Sequence, residues 1–168
     1  MNDAIFTPES SVSLSAQEKS RSIEFLPVNS VSSKWLMKLS ERLSARGEKK
    51  ENAVKEFLIV EDDENNSELL QSLLTFNGLK SSVVRNATEA MVYCQKHTPL
   101  AVFMDIGLPG TNGLELAHML KHVSTMENVP IIAVSAHSSE RMRDLAEEVG
   151  CVGFIAKPWT PEEILNAV

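Results

Sequence analysis

The chain has 168 residues, 43% of them hydrophobic, enough for one domain of ordinary size plus an appendage, and no apolar run approaches the length that crosses a bilayer. Its net charge of −7 is uneven: residues 1–52 carry eight Lys/Arg against seven Asp/Glu, and residues 53–168 carry eight against sixteen. An acidic second part argues against nucleic acid as a direct ligand and suits a bound cation.

The start of the chain has neither the basic residues nor the apolar stretch of a secretory signal. Residues 1–32 are Ser-rich, contain Pro8 and Pro27 and show no sustained period, so they are expected to be disordered. In "SKWLMKLSERLSAR", residues 33–46, Trp35, Leu36, Leu39 and Leu43 recur at helical spacing, with Lys34, Lys38, Arg42 and Arg46 beside them. Ser32 or Ser33 can cap this amphipathic basic helix and Gly47 can end it. Docking to protein, including the chain's own domain, is favoured over a mere linker and over a membrane role, and residues 47–54 read as a linker in any case.

From residue 55 strands and helices alternate. "FLIV" (57–60) is a continuous apolar run, as in a strand buried on both faces. The next segment, "ENNSELLQSLLTFNG", is helical, with Leu69, Leu70, Leu73 and Leu74 on one face and Gly78 as its stop. "SSVV" (81–84) is a short strand and "ATEAMVYCQKH" a helix. "LAVFM" (100–104) is a third strand, "GLELAHMLKHV" a helix, and "VPIIAVS" (129–135) holds a fourth strand. "SERMRDLAEEVG" is a helix with Met142, Leu145, Ala146 and Val149 inward. "VGFIA" (152–156) is the fifth strand, and Thr160 and Pro161 open a short last helix. Residues 33–46 are expected to cover apolar surface near that last helix. Cys94 and Cys151 have no CxxC or metal spacing and read as reduced core residues of a cytoplasmic protein.

Five such strands imply a parallel sheet covered on both faces, with ligands bound beyond the carboxyl ends of its strands. Those ends carry chemistry here. Strand one runs into Glu61 and Asp62, followed by Asp63 and Glu64; strand three ends at Asp105, strand four at Ser135, and strand five at Lys157 and Pro158. Two carboxylates roughly 4 Å apart repel by about 4 kcal/mol at an effective dielectric of about 20. Lys157 supplies one compensating charge, and Mg2+ would supply two. Mg2+ accepts a few carboxylates, a backbone carbonyl (Gly107 is placed to offer one), retained waters and a phosphate oxygen. A carboxylate beside a dication, a lysine and a hydroxyl can attack phosphorus and form an acyl phosphate.

The segments "LIVEDDENN", "VFMDIGLPGTNGLE", "PIIAVSAH" and "GFIAKP" resemble the receiver domain of two-component response regulators across roughly residues 55–168. The separations of 43 residues from Asp62 to Asp105, 30 from Asp105 to Ser135 and 52 from Asp105 to Lys157 are ordinary for that family. "GCVGFIAKP" looks most like stand-alone receivers of the DivK type. The resemblance implies a flavodoxin-like (β/α)5 doubly wound fold with strand order 2-1-3-4-5, here preceded by the amphipathic helix. It also implies phosphoryl transfer to Asp105 from the phosphohistidine of a sensor histidine kinase or histidine phosphotransfer protein. By the same resemblance, Glu61 (through water), Asp62, Asp105 and the Gly107 carbonyl hold Mg2+, and Ser135 and Lys157 hold phosphoryl oxygens. Ser135 and Phe154 form the switch, small Ala136 leaves room for the donor, and Lys157–Pro158 is a cis peptide. Gly107 and His137 take the variable positions that tune hydrolysis of the acyl phosphate.

Plainer readings compete at several positions. Asp63 reads as a helix-start acid, His137 as an exposed loop residue, and Glu115, His118 and His122 as a wet helix face with no metal. Two rival functions stand beside the switch. A Mg2+-dependent phosphohydrolase on a similar sheet commonly carries a second acid near its nucleophile, where this chain has Gly107. A pseudo-receiver acting only as a binding module is disfavoured by intact Glu61, Asp62, Asp105 and Lys157.

Overall fold

The computed structural model describes residues 56–168; the segments read as 1–32, 33–46 and 47–54 lie outside the described residues. Along the described chain the elements are β1 (Phe57–Val60), α1 (Glu64–Phe76), β2 (Ser81–Val84), α2 (Ala87–Lys96) and β3 (Val102–Asp105). They continue with α3 (Gly113–Lys121), β4 (Ile131–Ser135), α4 (Glu140–Glu148), β5 (Gly153–Ala156) and α5 (Pro161–Asn166). All strand pairs are parallel and the order is β2-β1-β3-β4-β5.

Each helix starts on a side chain that accepts from an otherwise orphaned backbone N–H: Asp63, Asn86, Asn112, Ser139 and Thr160. Such caps contribute about 1 kcal/mol each. Thr160 and Glu163 complete a reciprocal capping box behind Pro161, which lets a helix as short as α5 start cleanly.

Strand side chains alternate between two apolar layers, as the two-residue period of a strand requires. Leu58, Val60, Val102, Met104, Ile131 and Ala133 face a core closed by Ala90, Leu116, Leu120 and Ala146 of α2, α3 and α4. Phe57, Ile59, Phe103, Ile132 and Val134 face the opposite core, closed by Leu70 and Leu74 of α1 and Ile164 of α5. β1, β3 and β4 are buried along their whole length. β2 forms one edge of the sheet, with Ser81 and Ser82 half-buried, and the Gln71 side chain donates to the Ser81 carbonyl at 3.2 Å.

Three expectations are corrected. β3 begins at Val102 and includes Asp105, because the ladder to β4 runs on to pair Asp105 with Val134. Leu69 is 59% exposed and Leu145 37% exposed. A helix lying on a sheet buries one stripe: Ser67, Leu70 and Leu74 in α1, and Ala146 in α4, with Met142 and Val149 only half-buried beside it. No described helix is long and apolar enough to cross a membrane.

Candidate active site at the carboxyl edge of the sheet

The strand order reverses between β1 and β3, so the loops leaving these strands diverge and open a crevice at their carboxyl ends. Backbone hydrogen bonds fix the chain just past each strand. Glu61 N–H donates to Val84 O (3.1 Å), Ile106 N–H to Val134 O (3.0 Å) and Lys157 N–H to Ser135 O (2.7 Å). The Lys157–Pro158 bond is cis, as expected.

Lys157 Nζ lies 2.7 Å from Glu61 Oε2 and 3.0 Å from Asp105 Oδ2, bridging two buried carboxylates from different strands. The other oxygen of each acid is also engaged. Asn66 Nδ2 donates to Glu61 Oε1 (3.2 Å), and the Gly107 amide donates to Asp105 Oδ1 (2.9 Å). Glu61, Asp62 and Asp105 each present a carboxylate oxygen within 4.8 Å of the others, with Asp62 exposed at the mouth. Burial, together with the charge of Asp105, raises the Glu61 carboxyl above its ordinary range against the opposing pull of Lys157. Burial alone would lower the Lys157 ammonium; its hydrogen bonds to Glu61 and Asp105 outweigh that and raise it.

Three carboxylates against one ammonium leave a deficit of positive charge in a partly dry crevice, and every available donor is oxygen. That donor set fits a hard divalent cation. Glu115, His118 and His122 join no such group among the described residues; the two imidazoles contact each other, with His122 Nδ1 2.8 Å from the His118 carbonyl. Asp63 caps α1, accepting from Asn66 N–H at 2.8 Å, as a helix-start acid should.

Ser135 ends β4 with its hydroxyl buried, and Oγ accepts from the His137 amide at 3.0 Å. The hydroxyl proton thus stays available to a further acceptor. Ala136 and His137 are exposed. Phe154, in β5, is buried, and the Arg143 guanidinium of α4 lies 4.8 Å from its ring centre.

Several supporting residues escape sequence reasoning. Asn66 differs in no sequence signal from Asn65, yet only Asn66 reaches Glu61. Arg143 reads as a surface charge, although it stacks on Phe154. Gly113 is the most informative omission. A Cβ there would lie 2.1 Å from the Asp105 carbonyl oxygen and 2.7 Å from Ile106 Cα, so only glycine lets α3 start this close to the end of β3. The signal was present: a glycine directly after the capping Asn112.

The model of the response regulator receiver domain matches residues 57–168. The chain belongs to the response regulator receiver family. The polar-differentiation response regulator DivK of Brucella anthropi is 35% identical over 114 residues, covering 68% of this chain and 93% of that protein. The receiver domain of the Pseudomonas aeruginosa sensor histidine kinase PA1611, solved with a magnesium ion coordinated in its active-site cleft, is 26% identical. It superposes with a TM-score of 0.62, covering 67% of this chain and 93% of that one. Vibrio cholerae CheY4, at 23% identity, shares the fold with a TM-score of 0.64 over 67% of this chain and 94% of its own. This receiver is therefore a phosphoacceptor signalling switch of the two-component type. Receivers bind a divalent metal at an acidic pocket, and here the acidic cluster is Glu61, Asp62 and Asp105.

Proposed function

We propose that Asp105 accepts the phosphoryl group from a phosphohistidine of a sensor histidine kinase or histidine phosphotransfer protein. One Asp105 carboxylate oxygen attacks phosphorus, the phosphorus–nitrogen bond breaks, and the imidazole leaves with a proton from solvent, giving an aspartyl phosphate. The observation carrying this reading is the shared ammonium: Lys157 touches both Glu61 and Asp105 beside exposed Asp62. That arrangement holds an attacking carboxylate in place and leaves a negative pocket for a cation.

Mg2+, held by Asp62, Asp105, the Gly107 carbonyl and, through water, Glu61, would neutralise charge on the transferring phosphoryl group. Lys157 contributes by pairing with a phosphoryl oxygen, released in part from its present carboxylate partners. Ser135 donates its free hydroxyl proton to another oxygen. Because Ser135 Oγ also accepts from His137 N–H, drawing the hydroxyl toward phosphate pulls on the β4–α4 loop. Phe154 follows as the second half of the switch, and output passes by protein–protein contact in the cytoplasm. Turnover of outside phosphoesters is disfavoured by Gly107, which supplies no second acid beside Asp105.

Incubation of the full chain with acetyl phosphate and Mg2+, followed by intact-mass measurement, tests this. A stoichiometric, labile gain of one phosphoryl group is expected, absent in Asp105→Asn and absent with EDTA. Continuous hydrolysis of small phosphoesters, or no adduct and no Mg2+ binding, overturns it.

A further inference from the structure

The outer side of α1 carries an apolar stripe that the domain covers only at Leu73, which packs in part against the core. Leu69, Leu73 and Phe76 recur at i, i+4 and i+7; Phe76 is 91% exposed and Leu69 59%, while Leu73 is half-buried. The same helix contains Glu64 and Glu68 and no Lys or Arg, and Asp62 and Asp63 precede it. Glu64 pairs with Arg85 at 3.0 Å, whereas Glu68 has no ion-pair partner among the described residues. On a helical projection Glu68 stands about 110° round from the apolar stripe and Glu64, on the same side, about 150°.

Residues 33–46 carry the complementary arrangement. The apolar set Trp35, Leu36, Leu39 and Leu43 is flanked on one side by Lys34, Lys38 and Arg42, about 155°, 115° and 75° from its centre, with Arg46 drifting to its margin. The path of the chain favours α1 as well. Phe57 N–H donates to Lys80 O at 2.8 Å, so the polypeptide enters β1 beside the chain four residues past Phe76, the last residue of α1. Residues 47–55 reach at most about 30 Å. A fourteen-residue helix spans roughly 21 Å, much the same as the 13 residues of α1.

We propose that residues 33–46 dock along α1, seating their apolar side on Leu69, Leu73 and Phe76 and setting their basic side against Glu68 and the acids around it. Surface near α5 is less suited, since Ile164 and Ala167 are already buried. α4 is less suited too, because its Leu145 is less exposed and Arg141 and Arg143 interrupt its acids. The amino end of α1 adjoins the phosphoacceptor site through Asn66 and Glu61, so a docked segment stands at the rim of that site.

The test uses the full chain carrying Ser40→Cys and Ser72→Cys, treated with a short bismaleimide. Cys94 and Cys151 are buried, and burial pushes their thiols up to about 11 and about 12, so they react slowly. The control pair is Ser40→Cys with Glu127→Cys, an exposed position next to Met126, which packs in the core on the other face of the sheet. Docking with an intramolecular equilibrium constant of roughly ten predicts within-chain cross-linking about ten-fold faster for the α1 pair than for the control. Phe76→Asp, a change at an almost fully exposed position, should remove the advantage, and 1 M salt should reduce it. Equal rates for the two pairs, or cross-links only between chains, overturn the proposal. Neither result depends on phosphoryl transfer.

Discussion

Replacing Gly113 with alanine should damage both stability and phosphoryl transfer, and the size of the effect can be worked out. The new Cβ would sit 2.7 Å from Ile106 Cα, about 1 Å inside ordinary carbon–carbon contact, and 2.1 Å from the Asp105 carbonyl oxygen. Both obstacles are backbone, so no side chain can swing aside. Relief requires the start of α3 to move off the end of β3. That strains the Gly113 N–H to Ile106 O bond (3.1 Å) and the Asn112 cap on Leu114 N–H (2.9 Å). Overpacking costs about 1–3 kcal/mol and a weakened cap about 1 kcal/mol. The gain in helix propensity returns less than about 1 kcal/mol. The net loss is about 1–4 kcal/mol, a fall in Tm of roughly 5–20 °C for a domain of this size. Urea denaturation of the full chain measures the first effect, and the acetyl phosphate mass assay measures the second. Gly110→Ala is the comparison: its φ of +77° makes it strained, but its Cβ meets nothing within 4 Å, so it should destabilise without disturbing Asp105. Stability of Gly113→Ala within about 0.5 kcal/mol of the parent, or normal phosphorylation despite destabilisation, would refute the close-approach argument.

Lys157→Met should abolish the phosphoryl adduct yet bind Mg2+ roughly ten-fold more tightly, since even a screened repulsion between ammonium and dication a few Å apart exceeds about 1 kcal/mol. Half-buried Trp159, two residues along, gives the fluorescence readout, and weaker binding would count against the charge accounting. Arg143→Met keeps the aliphatic cover of Phe154 and loses its cation–π contact, so urea denaturation should show a loss of about 0.5–2 kcal/mol. A neutral result would mean that the stacked guanidinium contributes only packing. The two thiols predict an alkaline limit. Their ordinary value of 9.0 is raised by burial, so the folded chain keeps protons that the unfolded chain releases above that pH, and stability falls as pH rises. Between pH 8 and 10 the parent should lose about 3 kcal/mol more than a Cys94→Ala, Cys151→Ala variant, roughly 1.4 kcal/mol per thiol. Parallel stability profiles would sink that prediction.

The alternation of apolar runs with amphipathic segments made the sheet legible, because strands buried on both faces carry little but Val, Ile, Leu, Phe and Met. FLIV and SSVV mark β1 and β2 to the residue. The chemistry was legible for a related reason: groups that end parallel strands share one edge, and Glu61, Asp105 and Lys157 do meet there. Helix faces were harder. Four apolar residues at 69, 70, 73 and 74 span more than the one stripe a sheet can cover, and composition does not say which of them stays outside. The supporting contacts were hardest. Asn66 and Arg143 act through tertiary distances that no local spacing encodes. At Gly107 the contact present is an amide donated to Asp105, and the carbonyl assigned to the cation remains part of the proposed function.

The polar margin formed by β2 has a consequence for association. Its outward backbone is four residues long, begins with two serines, and has one carbonyl already taken by Gln71. So short and hydrophilic a border offers a poor template for an incoming extended peptide. Assembly by sheet extension is thereby discouraged on this side, which leaves recognition to the helical surfaces, the loops and the opposite border at β5.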